Sequence, residues 1–179
     1  MSLLILVLET LLAPPAALGV ILAFLISPKR GRLALLWEEL PERLGRVPPE
    51  VLARLNGRAA LWLHAASAGE VGGLVPLIEV WSRRPDAPGE GLPPALVLTT
   101  TTRSGRDAAR ALPGVAWAQL APLDAWPCIR RFLTSVRPAR LILAETELWP
   151  STLILASWAG LSPSLINARL TEKSLSRYR

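Results

Sequence analysis

Residues 60–84 read ALWLHAASAGEVGGLVPLIEVWSRR, and this stretch decides the fold. Its first part, residues 60–65, is a short apolar run that predicts a buried strand. Its last part, residues 71–84, repeats apolar side chains at helical spacing and predicts a helix. Between them lie small residues and Glu70, so a carboxylate is expected where the strand ends and the helix begins.

The same alternation continues along the chain. Further strands are predicted over residues 95–99, 115–120, 140–144 and 164–167, with helices between them. Asp124 has the position of an N-cap for the helix that follows the strand of residues 115–120. Such alternation is typical of an α/β fold, here a Rossmann-like open parallel sheet with helices on both faces. With a strand order of 3-2-1-4-5, the ligand crevice would open beyond the ends of the first and fourth strands.

A hydrophobic segment precedes this domain. Residues 3–26 are almost entirely apolar, with Glu9 as the one charge. As a helix they would extend about 36 Å, enough to cross a hydrocarbon core of about 30 Å. Pro14 would kink such a helix, and the basic residues at positions 29, 30 and 32 favour a cytoplasmic location for the remainder of the chain. We expect residues 1–28 to be a hydrophobic membrane anchor; a buried core helix is the alternative.

Residues 29–56 form a basic, amphipathic connector that leads to the domain of residues 57–179. Leucines recur every four residues along it, and Pro48 and Pro49 are expected to end it. The connector could lie on an anionic bilayer surface, held there by Trp37 and its basic residues. It could equally pack as an ordinary helix on the domain behind it.

The composition limits the kinds of partner and site. The 179 residues include 20 Lys and Arg and 14 Asp and Glu, a net charge of +6 that favours anionic partners. The arginines are scattered and most tryptophans fall in apolar periods, which argues against nucleic acid. One cysteine excludes an internal disulfide, and with one histidine it cannot form a typical zinc site. His64 falls within the first strand and is expected to be a packed core residue.

Two carboxylates are candidates for chemistry. Glu70 follows the first predicted strand and Glu145 follows the fourth, so the topology places them on either side of one crevice. An acid at such a turn, with Gly69 allowing a ligand to approach, is a candidate general base. Alternatively, Glu70 only complements its helix dipole, and Glu145 and Glu147 only cap their own helix.

Residues 99–106, TTTTRSGR, suggest a phosphate site. Hydroxyl groups, a glycine and helix-start N–H groups attract anions, and Arg103 and Arg106 would be the charged partners. The stretch lacks the spacing and the lysine of a P-loop. The alternative is a strand that ends in a threonine or serine N-cap.

Six strings carry a resemblance to a known family. In chain order they are ERLG (42–45), WLHAASAGE (62–70), TTTTRSGR (99–106), PLD (122–124), ETELWP (145–150) and NARL (167–170). Together they resemble the N-terminal half of the 3-deoxy-D-manno-octulosonic acid (Kdo) transferases, and the similarity covers nearly the whole chain.

This resemblance implies the N-terminal, acceptor-side domain of a GT-B glycosyltransferase on the cytoplasmic face of a Gram-negative inner membrane. Such enzymes move Kdo from CMP-Kdo to a lipid A precursor with inversion and without a metal or cofactor. Glu70 would be the general base and Glu145 the acid that stabilises the transition state. The candidate acceptor-binding residues are Ser67, Gly69, Thr101, Arg103, Arg106, Glu147 and Arg169.

In that family a second domain holds the nucleotide sugar, and this sequence contains no convincing CMP site. We therefore expect the chain alone to be inactive. Two other functions stay open: a non-catalytic, membrane-tethered module that binds an anionic lipid or a protein partner, and a GT-B transferase for another lipid-linked acceptor.

Overall fold

The computed structural model describes residues 31–55, 58–83, 94–145 and 148–168. The helices are α1 (Gly31–Arg43), α2 (Pro49–Leu55), α3 (Ala68–Ser82), α4 (Arg103–Arg110), α5 (Trp126–Val136) and α6 (Pro150–Trp158). The strands are β1 (Ala60–His64), β2 (Ala95–Thr100), β3 (Val115–Leu120), β4 (Pro138–Ala144) and β5 (Ser164–Ile166). The predicted anchor, residues 1–28, lies outside the described residues. Within the described ranges, no helix has the length and apolar character needed to cross a bilayer.

The five strands form one parallel sheet in the order β3-β2-β1-β4-β5. This is the order that the sequence analysis assumed, in which the direction of winding reverses between β1 and β4. In the centre of the sheet, Leu63 of β1 is in register with Leu98 of β2 and Ile142 of β4. All five carboxyl ends therefore lie along one edge, and the connections after β1 and β4 leave that edge side by side.

Helices cover both faces of the sheet, as the alternation predicted. On one face, Trp62 packs in a core with residues of α2, α5 and α6, including Phe132. On the other face, Leu61 and Leu63 pack against α3 and α4. Alternate residues of β1 thus enter opposite cores, which explains why the whole strand is buried.

The connector packs on the domain, which is the second of its two predicted alternatives. Val51 and Leu55 of α2 belong to the core on the Trp62 face. The expectation that Pro48 and Pro49 end the connector is wrong. Pro49 is instead the first residue of α2, where a fixed φ and a missing N–H are both tolerated.

Candidate active site

Glu70 lies in the first turn of α3, which begins at Ala68 instead of the predicted residue 71. Ser67 is the N-cap, and its Oγ accepts the backbone N–H of Glu70 at 3.4 Å. In return, Oε2 of Glu70 accepts the backbone N–H of Ala66 at 2.6 Å, and its Oε1 lies 3.4 Å from Ser67 Oγ. This is a close variant of a capping box, so the half-buried Glu70 carboxylate is fixed at the strand–helix turn.

The connection after β2 supports the same turn. The carbonyl oxygen of Ala66 accepts the backbone N–H groups of Thr101 and Thr102, both at 3.0 Å. Thr102 is also the N-cap of α4 and accepts the N–H of Gly105 at 3.2 Å. A Cβ atom at Gly105 would lie 3.2 Å from the carbonyl carbon of Ser67. The glycine therefore lets the start of α4 lie close to the turn that carries Glu70. This geometry is that of the alternative interpretation, a strand followed by a threonine N-cap.

Both candidate phosphate-binding arginines form ion pairs with α1. Arg103 approaches Oε1 of Glu39 at 2.8 Å through both Nε and Nη2. Nη1 of Arg106 lies 3.3 Å from Oε2 of Glu42. Burial acts to lower the pKa of Arg106, but the charges and hydrogen bonds of Glu42 and Asp107 outweigh it and raise the pKa. These two arginines therefore hold the connector helix against the domain.

Glu145 lies at the end of β4, immediately beside the end of β1. Its backbone is left-handed, with a φ of 59°, and its N–H donates to the carbonyl oxygen of Ile166 at 2.8 Å. Since β1 and β4 are adjacent parallel strands, the turns that carry Glu70 and Glu145 leave the same edge of the sheet next to each other. Glu147 and Arg169 lie outside the described residues.

Arg43, the last residue of α1, joins two of the connections at this edge. Its Nη2 donates to the carbonyl oxygen of Thr101 at 2.7 Å, and its Nη1 donates to that of Ala121 at 3.3 Å. Burial lowers the pKa of Arg43, against the opposing charges of Glu39 and Glu42. In the sequence, Arg43 stands out only as one of the basic residues of the connector and as part of the ERLG string, and neither pattern predicts these contacts.

Asp124 caps a different helix from the one predicted. The N-cap of α5 is Ala125, which makes no side-chain capping bond, so the predicted role is wrong. The Asp124 carboxylate accepts the backbone N–H groups of Ser151 at 3.0 Å and Thr152 at 2.7 Å, in the first turn of α6. Helix α6 lacks a side-chain cap from its own N-cap residue, Trp149. The Asp124 carboxylate, in the connection that follows β3, thus fixes the first turn of α6, the helix that follows Glu145 in the chain.

The single histidine and the single cysteine are both buried. His64 is packed as predicted, with Nδ1 3.0 Å from Oγ1 of Thr99. Burial raises the pKa of the Cys128 thiol, and the charge of Arg131 offsets only part of that effect. Across the described ranges, no group of three or more His, Cys, Asp or Glu side chains is placed to hold a metal ion.

A cavity of about 160 Å³ opens at the same edge of the sheet. Its lining includes His64 at the end of β1, Thr101 beyond β2, the loop of residues 121–124 beyond β3, and Trp149 before α6. Arg43 also belongs to the lining. Of the sequence-predicted site residues that the structure describes, only Thr101 lines this cavity. The residues brought together here are therefore mostly ones that sequence reasoning did not select.

Comparisons with known proteins agree with the resemblance. Residues 38–179 match the family model described as 3-deoxy-D-manno-octulosonic-acid transferase (kdotransferase). The chain is 36% identical to a probable mitochondrial 3-deoxy-D-manno-octulosonic acid transferase of Arabidopsis thaliana. The aligned region has 139 residues and covers 77% of this chain and 29% of that protein. It is 34% identical over 146 residues to the corresponding transferase of Bordetella pertussis, covering 78% of this chain and 32% of the relative.

A third relative, the 3-deoxy-D-manno-octulosonic acid transferase of Haemophilus influenzae, is 33% identical over 119 residues, or 66% of this chain and 26% of the relative. The matched part thus spans about three tenths of the length of these curated relatives. The family model covers most of the chain, including both candidate acids and the ion-paired arginines. The chain belongs to the 3-deoxy-D-manno-octulosonic acid transferase family of glycosyltransferases.

Proposed function

We propose that this chain is the acceptor-binding part of an inverting transferase that moves Kdo from CMP-Kdo to a lipid A precursor. The observation that carries the proposal is the placement of Glu70 and Glu145 at the carboxyl ends of two adjacent parallel strands. An open α/β sheet binds its ligands at that edge, where the winding reverses. We place the reaction at the cytoplasmic face of the inner membrane, next to the lipid acceptor.

Glu70 is the general base in this mechanism. Its carboxylate takes the proton of the attacking acceptor hydroxyl while that oxygen bonds to the anomeric carbon of Kdo and the bond to the CMP phosphate breaks. An ionised carboxylate has about four acceptor positions. Only Ala66 N–H, at 2.6 Å, and the more distant Ser67 hydroxyl, at 3.4 Å, approach it within the described ranges. The capping contacts therefore orient the base without using all of its lone pairs.

Glu145 stabilises the transition state from the neighbouring strand end. Its left-handed backbone and its hydrogen bond to Ile166 fix the start of the β4–α6 connection. In the described part of the chain, its carboxylate makes no hydrogen bond, so it is available to a polar substrate. The chemistry uses no metal or cofactor, and a second domain supplies the CMP-Kdo.

The acceptor is held by the remaining candidates. Ser67 and Gly69 lie beside the base, and Thr101 lies on the adjoining connection; Glu147 and Arg169 are proposed on the resemblance alone. Arg103 and Arg106 are proposed to bind acceptor phosphates. Each already faces a carboxylate of α1, so a phosphate would have to share a guanidinium, which carries five N–H groups.

Substituting Glu70 by glutamine tests the base role. Glutamine keeps an acceptor oxygen for Ala66 N–H but loses the basic carboxylate. With this chain joined to a donor-binding domain, we expect kcat for transfer from CMP-Kdo to a lipid A precursor to fall by about a hundredfold to ten-thousandfold. Glu79→Gln, at the exposed end of the same helix, is the matched control and should leave kcat unchanged. Unchanged turnover in Glu70→Gln would show that Glu70 is only a helix cap.

The lipid-linked acceptor can be tested with the same protein. Offering a lipid A precursor and an undecaprenyl-linked sugar side by side separates the proposed acceptor from that of a different GT-B transferase. We expect transfer to the lipid A precursor only. Lipid binding without turnover of either acceptor would favour the non-catalytic, membrane-tethered module.

A further inference from the structure

One backbone carbonyl oxygen, that of Ala66, joins the turn that carries Glu70 to the connection that follows β2. It accepts the backbone N–H groups of Thr101 and Thr102, both at 3.0 Å, and the hydroxyl of Thr102 at 3.2 Å. A carbonyl oxygen has two lone pairs, so three donors are more than its usual number of partners. The β2 connection therefore fixes the position of this carbonyl group.

The N–H group of the same residue, Ala66, holds the carboxylate of Glu70. It donates to Oε2 at 2.6 Å, which is the closest contact of that carboxylate within the described ranges. A hydrogen bond from a backbone N–H to an ionised carboxylate is roughly twice as strong as a bond between neutral groups. The N–H and the carbonyl group of Ala66 flank one Cα atom, so a displacement of the residue at its carbonyl group moves this donor as well.

The hydroxyl of Thr102 is the side-chain part of this arrangement. It donates to the carbonyl oxygen of Ala66 and accepts the backbone N–H of Gly105, each at 3.2 Å. The hydroxyl thus links the turn after β1 to the first turn of α4. Its removal would leave the two backbone hydrogen bonds to Ala66 in place and would break the link to α4.

We propose that Thr102 is a positioning residue for Glu70 and acts on it through Ala66. This role rests on the proposed function, in which Glu70 takes the proton of the acceptor hydroxyl, and it requires no contact between Thr102 and a substrate. The Thr102 hydroxyl keeps the N–H of Ala66, and with it the carboxylate, in the place that the reaction needs. A displacement of about 1 Å in a reacting group can cost about a hundredfold in rate.

The first test is the amide proton signal of Ala66, recorded by nitrogen-15 NMR on the full chain in detergent micelles. A bond to a charged carboxylate moves this signal downfield, so Glu70→Gln should move it upfield. The same substitution made in a Thr102→Val background should cause a smaller shift, because the N–H no longer points directly at the carboxylate. Comparing the two backgrounds removes the direct effect of valine on the signal. In a Thr102→Ser background the full shift should return.

The second test is turnover by this chain joined to a donor-binding domain. Thr102→Val should lower kcat for transfer to a lipid A precursor by about tenfold or more and change KM by less than about twofold, because a displaced base slows the reaction without weakening acceptor binding. Thr102→Ser should restore most of kcat. Thr134→Val is the matched control, since that exposed hydroxyl also bonds to backbone carbonyl oxygens, at 2.9 and 3.0 Å, but on α5. It should leave kcat unchanged.

The outcomes separate this inference from the proposed reaction. If the Ala66 signal responds to Glu70→Gln equally in both backgrounds, or if Thr102→Val keeps its full kcat while unfolding at lower urea concentration, Thr102 is only a helix cap and the positioning role is wrong. Glu70→Gln would still report on the base role. Normal turnover in Glu70→Gln would disprove the base role, and a reduced response of Ala66 in Thr102→Val would still show that Thr102 holds the carboxylate in place.

Discussion

Asp124 and Thr152 belong to different strand–helix connections, yet one carboxylate oxygen of Asp124 lies 2.7 Å from both the backbone nitrogen and the hydroxyl of Thr152. The second oxygen accepts the N–H of Ser151 at 3.0 Å. Together these bonds satisfy two of the N–H groups that a helix start leaves unpaired. The β3 connection therefore fixes the position at which the segment from Glu145 enters α6.

Replacing Asp124 by alanine should lower the free energy of unfolding by about 1–2 kcal/mol, the range for loss of a helix cap. The measurement is urea unfolding followed by circular dichroism. Asp107→Ala is the control, because that carboxylate is exposed on α4 and its one contact with the described residues is at 3.4 Å, to Arg106. Its effect should stay below about 0.5 kcal/mol. Equal losses in the two variants would show that the Asp124 cap contributes nothing specific.

Gly45 should not tolerate alanine. Its φ is +73°, and an added Cβ would overlap the carbonyl oxygen of Cys128 in α5. The left-handed backbone and this clash together should cost about 3 kcal/mol or more. Gly72→Ala is the control, since that glycine is helical and a Cβ there would meet nothing within 4 Å. It should raise the melting temperature slightly, and a fall as large as that of Gly45→Ala would contradict the packing described here.

Glu42 should be important for the attachment of α1. Its carboxylate accepts the backbone N–H of Leu120 at 2.6 Å and pairs with Arg106 and with Arg110, the latter at 2.9 Å. Only 14% of its side chain is exposed. Glu42→Gln should therefore lower the free energy of unfolding by about 1–3 kcal/mol.

Glu79→Gln provides the comparison for Glu42. That side chain is 57% exposed and pairs with Arg83 at 3.5 Å in an i,i+4 arrangement. Removing its charge should change the free energy of unfolding by less than about 0.5 kcal/mol. If both variants unfold at the same urea concentration as the unmodified chain, α1 is not held by its ion pairs.

The Cys128 thiol should react slowly in the native chain. Burial raises its pKa, so less of the reactive thiolate is present at a given pH, and access is restricted as well. The native state holds this proton more tightly than the unfolded state does. The thiol therefore contributes to the free energy of unfolding below its unfolded pKa, and this contribution is lost as the pH rises through the raised native pKa. Iodoacetamide labelling at pH 8 should be slow without denaturant and fast in concentrated urea. Equal rates would contradict the burial.

Local patterns were sufficient to predict the strands and a parallel sheet. The apolar runs at residues 60–65 and 140–144 predict two of its strands, and their adjacency followed only from the assumed order 3-2-1-4-5, which the structure shows. Apolar periodicity predicts that α3 begins at residue 71, three residues after its observed start at Ala68. The S-x-x-E spacing of Ser67 and Glu70, which is that of a capping box, marks the observed start more closely than the periodicity does.

The long-range contacts could not be predicted. Asp124 has the right residue type for the N-cap of α5, and only the folded chain shows that its carboxylate reaches α6, 28 residues further on. The partners of Arg103 and Arg106 lie 64 residues earlier, in α1. Periodicity reports which side chains share a face of one element, and it does not report which elements those side chains meet.

The most direct measurement is a crystal structure of this chain with a bound lipid A precursor. We predict an acceptor hydroxyl oxygen at about 2.6–3.2 Å from a carboxylate oxygen of Glu70, with the Glu145 carboxylate facing the same hydroxyl from the adjacent strand end. A hydroxyl bound away from both acids, or two carboxylates that point into separate pockets, would contradict the account.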